Sequence, residues 1–443
     1  MKTSVCLPGE LGSAELDRWR EMRARRPDLD SPFLAPEFAI AAGRCRPEAR
    51  VAIVEDGGQI VAIFPFERRR FGLGVPIGAG LSDFQAIICD PWIDVDVCDL
   101  LAGCGLQAWS FDHLVATQRP MCAPSAREVD SPFIDISEGF DAYFEACIRY
   151  RGRKIFQHER KLGREVGPVR FEYCSLADPA ALSKVFEWKS LQYRRTGRRD
   201  RFASTSNVQL IEELAQHSTP DLAGTLNTLH AGDRLVAAEF SLRSQTVIAG
   251  WFPAHDCEFG LYSTGSICTL RTLEAASSAG IRRYDLGKGD ETYKQWFKTG
   301  DLRVCEGWML RPGVLANLRR ATSLPREAAF DFVLSHPRLR ITARETLRTL
   351  GEARLRFESR PGVRRAGPEE EAQRSRQVHP SCRSEVRSSA SGPQSNGGMA
   401  TGFSAQDRGS GEPTIGPWRR PRKARSPVAS RFSPAAISGA DDW

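Results

Sequence analysis

Apolar positions recur along residues 1 to about 310 with two periods, one of two residues and one close to 3.6, and turn residues separate the runs. Residues 50–66 hold two β-rich runs about Asp56-Gly57-Gly58, where glycine supplies positive φ, and predict a β-hairpin. Residues 224–242 have the same form, and Val61-Ala62 aligns with Val236-Ala237. A helical stretch with a tryptophan precedes each hairpin, Trp19 in one case and Trp188 in the other. A further helix and a strand follow each, the strands holding Phe111-Asp112 and Tyr284-Asp285 at nearly equal offsets. The shared order points to two copies of one unit; two unrelated α/β domains would also carry such hairpins. Each unit reads helix, antiparallel hairpin, strand, helix, strand. A doubly wound parallel sheet would need a crossover helix between most strands, so the order predicts an α/β (α+β) chain with mixed, mainly antiparallel sheets flanked by helices.

The second unit contains the better anion site. After a strand over residues 246–252 comes a polar turn over 253–260, in which His255 lies. A helix then starts near Tyr262, with Ser263, Thr264 and Gly265 as cap material and Ile267, Leu270, Leu273 and Ala276 on one face. Unpaired N–H groups and the dipole at such a helix start favour a phosphate, and Gly265 allows close approach; an ordinary capped helix has the same local pattern. The first unit places Asp90, Asp94 and Asp96 at the equivalent point, where carboxylates would repel a pyrophosphate.

Composition narrows the class without choosing a function. The chain has 443 residues, a net charge of +7 and 12 cysteines scattered singly, with no zinc spacing, so no metal is expected. No apolar run is long enough to cross a membrane and no secretory leader is visible, which predicts a cytoplasmic protein with reduced thiols. Divided by composition, residues 1–145 form a first lobe, 146–170 a basic linker helix and 171–311 a second lobe. Residues 312–360 read as a basic helical extension, and 361–443 as a disordered tail rich in Ser, Gly, Pro and Arg. The linker, with Arg151, Arg153, Lys154, Arg160 and Lys161, either steers an anionic substrate or is a solvated amphipathic helix. No aromatic-basic strand motif of the RNA-binding kind appears, which argues against nucleic acid as a partner.

The stretch 281–300 is the most informative. It ends a strand at Asp285-Leu286 and turns through Gly287-Lys288-Gly289 into Tyr293-Lys294. Here the chain resembles the CelD-like group of GNAT acyltransferases, named for cellulose biosynthesis, and more distantly the FemAB peptidoglycan-bridge transferases. The group's Asp-Leu-Gly-x-Gly-x-x-x-Tyr-Lys signature is present as Asp285, Leu286, Gly287, Gly289, Tyr293 and Lys294. Its Tyr-Ser-Pro-Gly element looks like Tyr262, Ser263, Thr264 and Gly265, with threonine in place of proline. Pro32, Phe33, Pro36, Glu37 and Phe38 match an early element, and Asp83-Phe84-Gln85 another.

The resemblance covers about residues 10–310. It implies two tandem GNAT-like lobes and N-acyl transfer from acetyl-coenzyme A, a cosubstrate, to an amine. The acceptor would be a small molecule or a glycan precursor such as an amino sugar, in cellulose or other exopolysaccharide biosynthesis, with peripheral association to membrane polysaccharide machinery. An aminoacyl-tRNA-dependent transferase or a non-catalytic accessory protein are the alternatives. Tyr293 stands where a tyrosine often protonates the leaving thiolate, or is an ordinary helix-start aromatic. Asp290 or Glu291 could be the base, or acids complementing a helix dipole. Glu239 in a hairpin strand and His255 are further candidates for the base. Tyr262, Ser263, Thr264, Gly265, Gly287, Lys288, Gly289 and Lys294 are the residues expected to hold the cofactor.

Overall fold

A computed structural model describes residues 1–174, 178–289, 291–313, 345–346 and 349–350. Asp290, the tail and nearly all of the extension lie outside the described residues. Strand β1 (Lys2–Cys6) is followed by helices α1 (Ser13–Ala24) and α2 (Pro36–Cys45). Then come β2 (Ala49–Asp56), β3 (Gln59–Arg69), β4 (Leu73–Pro76), β5 (Ile88–Cys89), α3 (Val97–Gly103), β6 (Ala108–Val115) and β7 (Arg127–Asp135). Helix α4 (Phe140–Tyr143) leads through one π turn into α5 (Arg149–Glu165). The second series is β8 (Val169–Glu172), α6 (Pro179–Arg195), α7 (Thr205–Ala215), β9 (Ala223–Ala231), β10 (Arg234–Arg243), β11 (Val247–His255), α8 (Thr264–Ser278), β12 (Arg283–Asp285), α9 (Thr292–Phe297) and β13 (Gly300–Leu310).

Both predicted hairpins form. β2 and β3 turn through Gly57 and Gly58, at φ +56° and +78°, and β9 and β10 turn at Gly232, at φ +58°. In each half the strand after the hairpin pairs in parallel with the strand after the next helix, β4 with β6 and β11 with β12. The described strands join in one mixed sheet of order β1-β2-β3-β4-β6-β13-β7-β12-β11-β10-β9-β8, with β5 beside β3.

The two halves exchange their last strands. β7 of the first half pairs with β12 of the second, β13 of the second pairs with β6 of the first, and β7 and β13 pair with each other. One apolar cluster, from Trp19, Phe33 and Phe38 through Val185 and Leu210 to Phe240 and Trp251, runs under α1, α2, α6 and α7 of both halves. Trp251 also donates its indole N–H to Leu81 O at 2.9 Å across the seam. Exchanged strands and a common core make the second half depend on the first for its shape.

Sequence and structure differ at His255. It ends β11 and is not a turn residue, because β10 continues to pair through Pro253, Ala254 and His255. Pro253 has no N–H to donate, and β12 has already left that edge of β11. The described cysteines are all free thiols. Among the described residues, no helix is long and apolar enough to cross a membrane.

Candidate active site

β11 and β12 pair only at Val247, Ile248 and Ala249. β11 then runs on to His255 against β10, so the parallel strands part and, among the described residues, the β12-side edge of residues 250–255 has no strand partner. A bulge marks the parting: Gly250 lies opposite Ser241 and Phe252 opposite Phe240, leaving Trp251 as the extra residue. Gly250 is required here, since a Cβ would collide with the Tyr284 hydroxyl of β12.

The chain leaves β11 through a short 3₁₀ turn and enters α8. Ser263 holds the left-handed conformation at φ +54°, and no side chain caps the helix. No described acceptor takes the N–H groups of Thr264, Gly265 and Ser266, which form a ready anion cradle. Helix α5 packs beside it. His158 Nδ1 meets Ser263 Oγ at 3.0 Å, the Tyr262 hydroxyl donates to Glu165 at 2.9 Å, and Arg271 of α8 grips Glu159 at 2.8 and 3.0 Å.

Glu239 is buried in β10. It accepts hydrogen bonds from the Tyr284 hydroxyl and from Ser241 Oγ, while its second carboxylate oxygen has no partner among the described residues. Burial pushes its carboxyl up against the opposing effect of those two bonds. Lys189 of α6, a helix packed on β10 and β11, acts on the Glu239 carboxylate, and its ammonium donates to Gln192 at 2.9 Å. Burial, helped by the Lys294 ammonium, lowers Lys189 to about 7. Burial and the Lys189 charge likewise lower His255 to about 4, so its imidazole is neutral near pH 7. A group that titrates near the working pH is the best matched proton acceptor, which favours Lys189 over His255.

Glu291 begins α9. It pairs with Arg198 at 3.1 Å and with Lys294 at 3.2 Å. Burial would raise its carboxyl, but the two cations outweigh it and hold the group at about 2. So strong an acid is a poor base and a good anchor. Lys294 is buried; its ammonium donates to Gly287 O at 3.1 Å and Lys288 O at 3.0 Å, and so ties the Gly287–Gly289 turn from within. Lys288 faces the other way, to Glu306 and to Asp112 O at 2.9 Å. Both lysines expected at cofactor phosphates are therefore engaged by the protein. Tyr293 is buried beside Glu291 and Glu239, and burial raises its hydroxyl, which stays protonated.

The first half reaches the Gly287–Gly289 turn through Asp83. A Cβ on Gly287 would lie 3.2 Å from the Asp83 carboxylate, which is 3.7 Å from His113 Nε2 and close enough to act on Tyr193 of α6. The structure thus brings Glu239, Glu291 and Tyr293 into one largely buried cluster with Lys189, which also acts on His255, while Tyr262–Gly265 lie at the start of α8. Sequence reasoning missed Lys189, Tyr193 and Arg198, and gave Asp83 no role. A signal for Lys189 existed: it follows Ala181 and Val185 at intervals of four on the core-facing stripe of α6, where a lysine is out of place.

Residues 150–295 match the acetyltransferase (GNAT) domain family, which spans α5 to α9 and so holds both the α8 cradle and the cluster around Lys189. A comparison with curated proteins gives no match. Among solved structures the chain is similar to FemX, with 10% identity and TM-score 0.48 over 70% of this chain and 96% of that one. It is also similar to a tandem GNAT protein from the clavulanic acid biosynthesis pathway, with 8% identity and TM-score 0.42 over 69% of this chain and 97% of that one.

Proposed function

We infer that the chain transfers an acyl group, acetyl in the simplest case, from acyl-coenzyme A to an amine, and that its second half holds the thioester. The observation that carries this reading is the uncapped start of α8 beside the parted strands β11 and β12. The N–H groups of Thr264, Gly265 and Ser266 take the pyrophosphate, and the unpaired edge of β11 takes the pantetheine chain in the manner of a further strand. Backbone N–H groups on that edge polarise the thioester oxygen.

An acceptor amine must shed a proton to attack, and Lys189 takes it. The new C–N bond forms as the C–S bond breaks; the Tyr293 hydroxyl keeps its proton and donates a hydrogen bond to the departing thiolate, and the proton taken by Lys189 is released to solvent or to that thiolate. Glu239 and Tyr284 lock the strands on which this geometry rests. The CelD-like resemblance extends the proposal to a cytoplasmic enzyme that acylates an amino sugar or another polysaccharide precursor, working beside membrane-bound polysaccharide machinery.

Calorimetric titration of the full chain with acetyl-coenzyme A tests the reading. Micromolar binding that disappears in Gly265→Asp supports it. A folded protein that does not bind the cofactor refutes it and shifts the assignment to an aminoacyl-tRNA donor or a non-catalytic role.

A further inference from the structure

Residues 193–201 hold five arginines, Arg194, Arg195, Arg198, Arg199 and Arg201, against one carboxylate, Asp200. They run from the end of α6 to the short 3₁₀ turn before α7. Asp200 does not neutralise them: it accepts from Ser190 Oγ at 3.1 Å and Phe202 N at 3.0 Å, and so pins the loop to α6. Arg194 turns back to Ser190 O, and Arg195 lies against Cys257. Arg198 shares Glu291 with Lys294. The guanidinium groups of Arg199 and Arg201 have no ion pair or hydrogen bond among the described residues.

Arg198 sets this segment beside Glu291 and Lys294, and Arg199 next to it is exposed. Arg198 and Arg201 both act on the hydroxyl of Tyr193, the residue that Asp83 reaches from the first half, and Arg198 also acts on Tyr293. A solvated surface intersperses its cations with carboxylates, whereas here Arg198 and Lys294 share the one carboxylate of Glu291, Lys189 and Arg201 add positive charge nearby, and these cations repel one another. A bound anion relieves that repulsion. Guanidinium groups match the oxygens of a phosphate in pairs, and two or three of them suit a group with more than one negative charge. The α8 cradle is bordered by α5 through His158 and Ser263, whereas the arginine segment reaches the turn before α8 through Arg195 at Cys257.

We propose that the acceptor amine belongs to a small phosphate or diphosphate ester, and that Arg199 and Arg201, with the outer edge of Arg198, hold its phosphate beside Glu291. The proposal rests on the acyltransferase reading for the meaning of "acceptor", but the anion site itself does not. Arg201 and Arg198 then set which amines are acylated, while Lys189 and Tyr293 act on whichever amine is held.

The test uses the full chain with inorganic pyrophosphate as the probe, titrated by calorimetry in the Gly265→Asp protein, where the α8 cradle repels anions. Pyrophosphate binds this protein, and adding Arg199→Ala with Arg201→Ala weakens binding by about tenfold or more, as expected for loss of charged hydrogen bonds. The Arg199→Lys, Arg201→Lys protein keeps the charges, guards against a folding artefact, and falls between. Unchanged binding in the alanine protein overturns the proposal, as does binding already abolished by Gly265→Asp alone. Sedimentation with phosphatidylglycerol vesicles separates the sources of phosphate: arginine-dependent co-sedimentation would assign the loop to a lipid surface and overturn the small-ester assignment. Failure of acetyl-coenzyme A to bind leaves the pyrophosphate result readable, so the two readings fail separately.

Discussion

The helix that follows the parallel strand begins differently in the two halves. α3 is seven residues long, and Asp96 caps it by accepting from Asp99 N at 2.8 Å. α8 is fifteen residues long and has no side-chain cap. The strand before each differs as well: β4 has four residues, while β11 has nine and pairs with its parallel neighbour over only three. Each half also buries a glutamate in the second strand of its hairpin. Glu67 is satisfied by Arg46 at 2.8 Å, by Arg69, and by Gly78 N at 2.9 Å. Among the described residues, Glu239 has only hydroxyl donors and one unpartnered oxygen. One succession of elements thus yields a scaffold where its polar groups are satisfied internally and a candidate site where they are left open.

That contrast can be broken at several points. The largest effect is expected at Lys189. Lys189→Met should lower kcat by about 10²–10⁴-fold, the usual contribution of a positioned base. Because the free amine is the active form, kcat/KM of the unaltered enzyme should rise with pH through about 7, and this limb should vanish in the variant. A pH–rate profile that keeps its limb would remove Lys189 from the chemistry.

Next comes the brace of the first half. Arg46→Met leaves Glu67 buried without its main partner and should lower unfolding stability by about 3–5 kcal/mol, measured by urea titration. The same reasoning predicts a far smaller change for Glu239→Gln.

The third comparison places the same charge at the second position of each helix. Gly265→Asp should weaken acetyl-coenzyme A at least tenfold by calorimetry, since it sets a carboxylate against the anion cradle of α8. Cys98→Asp, the counterpart in α3, should leave binding unchanged.

The smallest effect concerns pH and stability. The folded-state affinity of Glu239 for its proton is raised above the ordinary carboxyl value of 4.5. Its contribution is therefore complete below that value and is lost as pH rises through the folded pKa. Glu239→Gln keeps the neutral form at all pH values, so thermal unfolding should decline less between pH 5 and 8 than in the unaltered chain.

Local pattern was sufficient for much of the fold. The alternation and the glycines of residues 50–66 and 224–242 specified both hairpins, because turn geometry and strand period are set within a few residues. The helix start at Thr264 was legible for the same reason, as were the carboxylates that close the first half's equivalent. The roles of Lys288, Lys294 and Glu291 were not legible, since their partners lie on β13, on the Gly287–Gly289 turn and on the loop that follows α6. By itself the sequence determined which segments are strands and helices, their repeated order, and where an anion could meet a helix start. Only the tertiary structure decided that β7 and β13 exchange places, that Asp83 of one half faces Gly287 of the other, and that Lys189 is buried within reach of the Lys294 charge. Secondary structure follows from interactions between near neighbours, whereas charge pairing and desolvation depend on groups that are distant along the chain and adjacent only after packing.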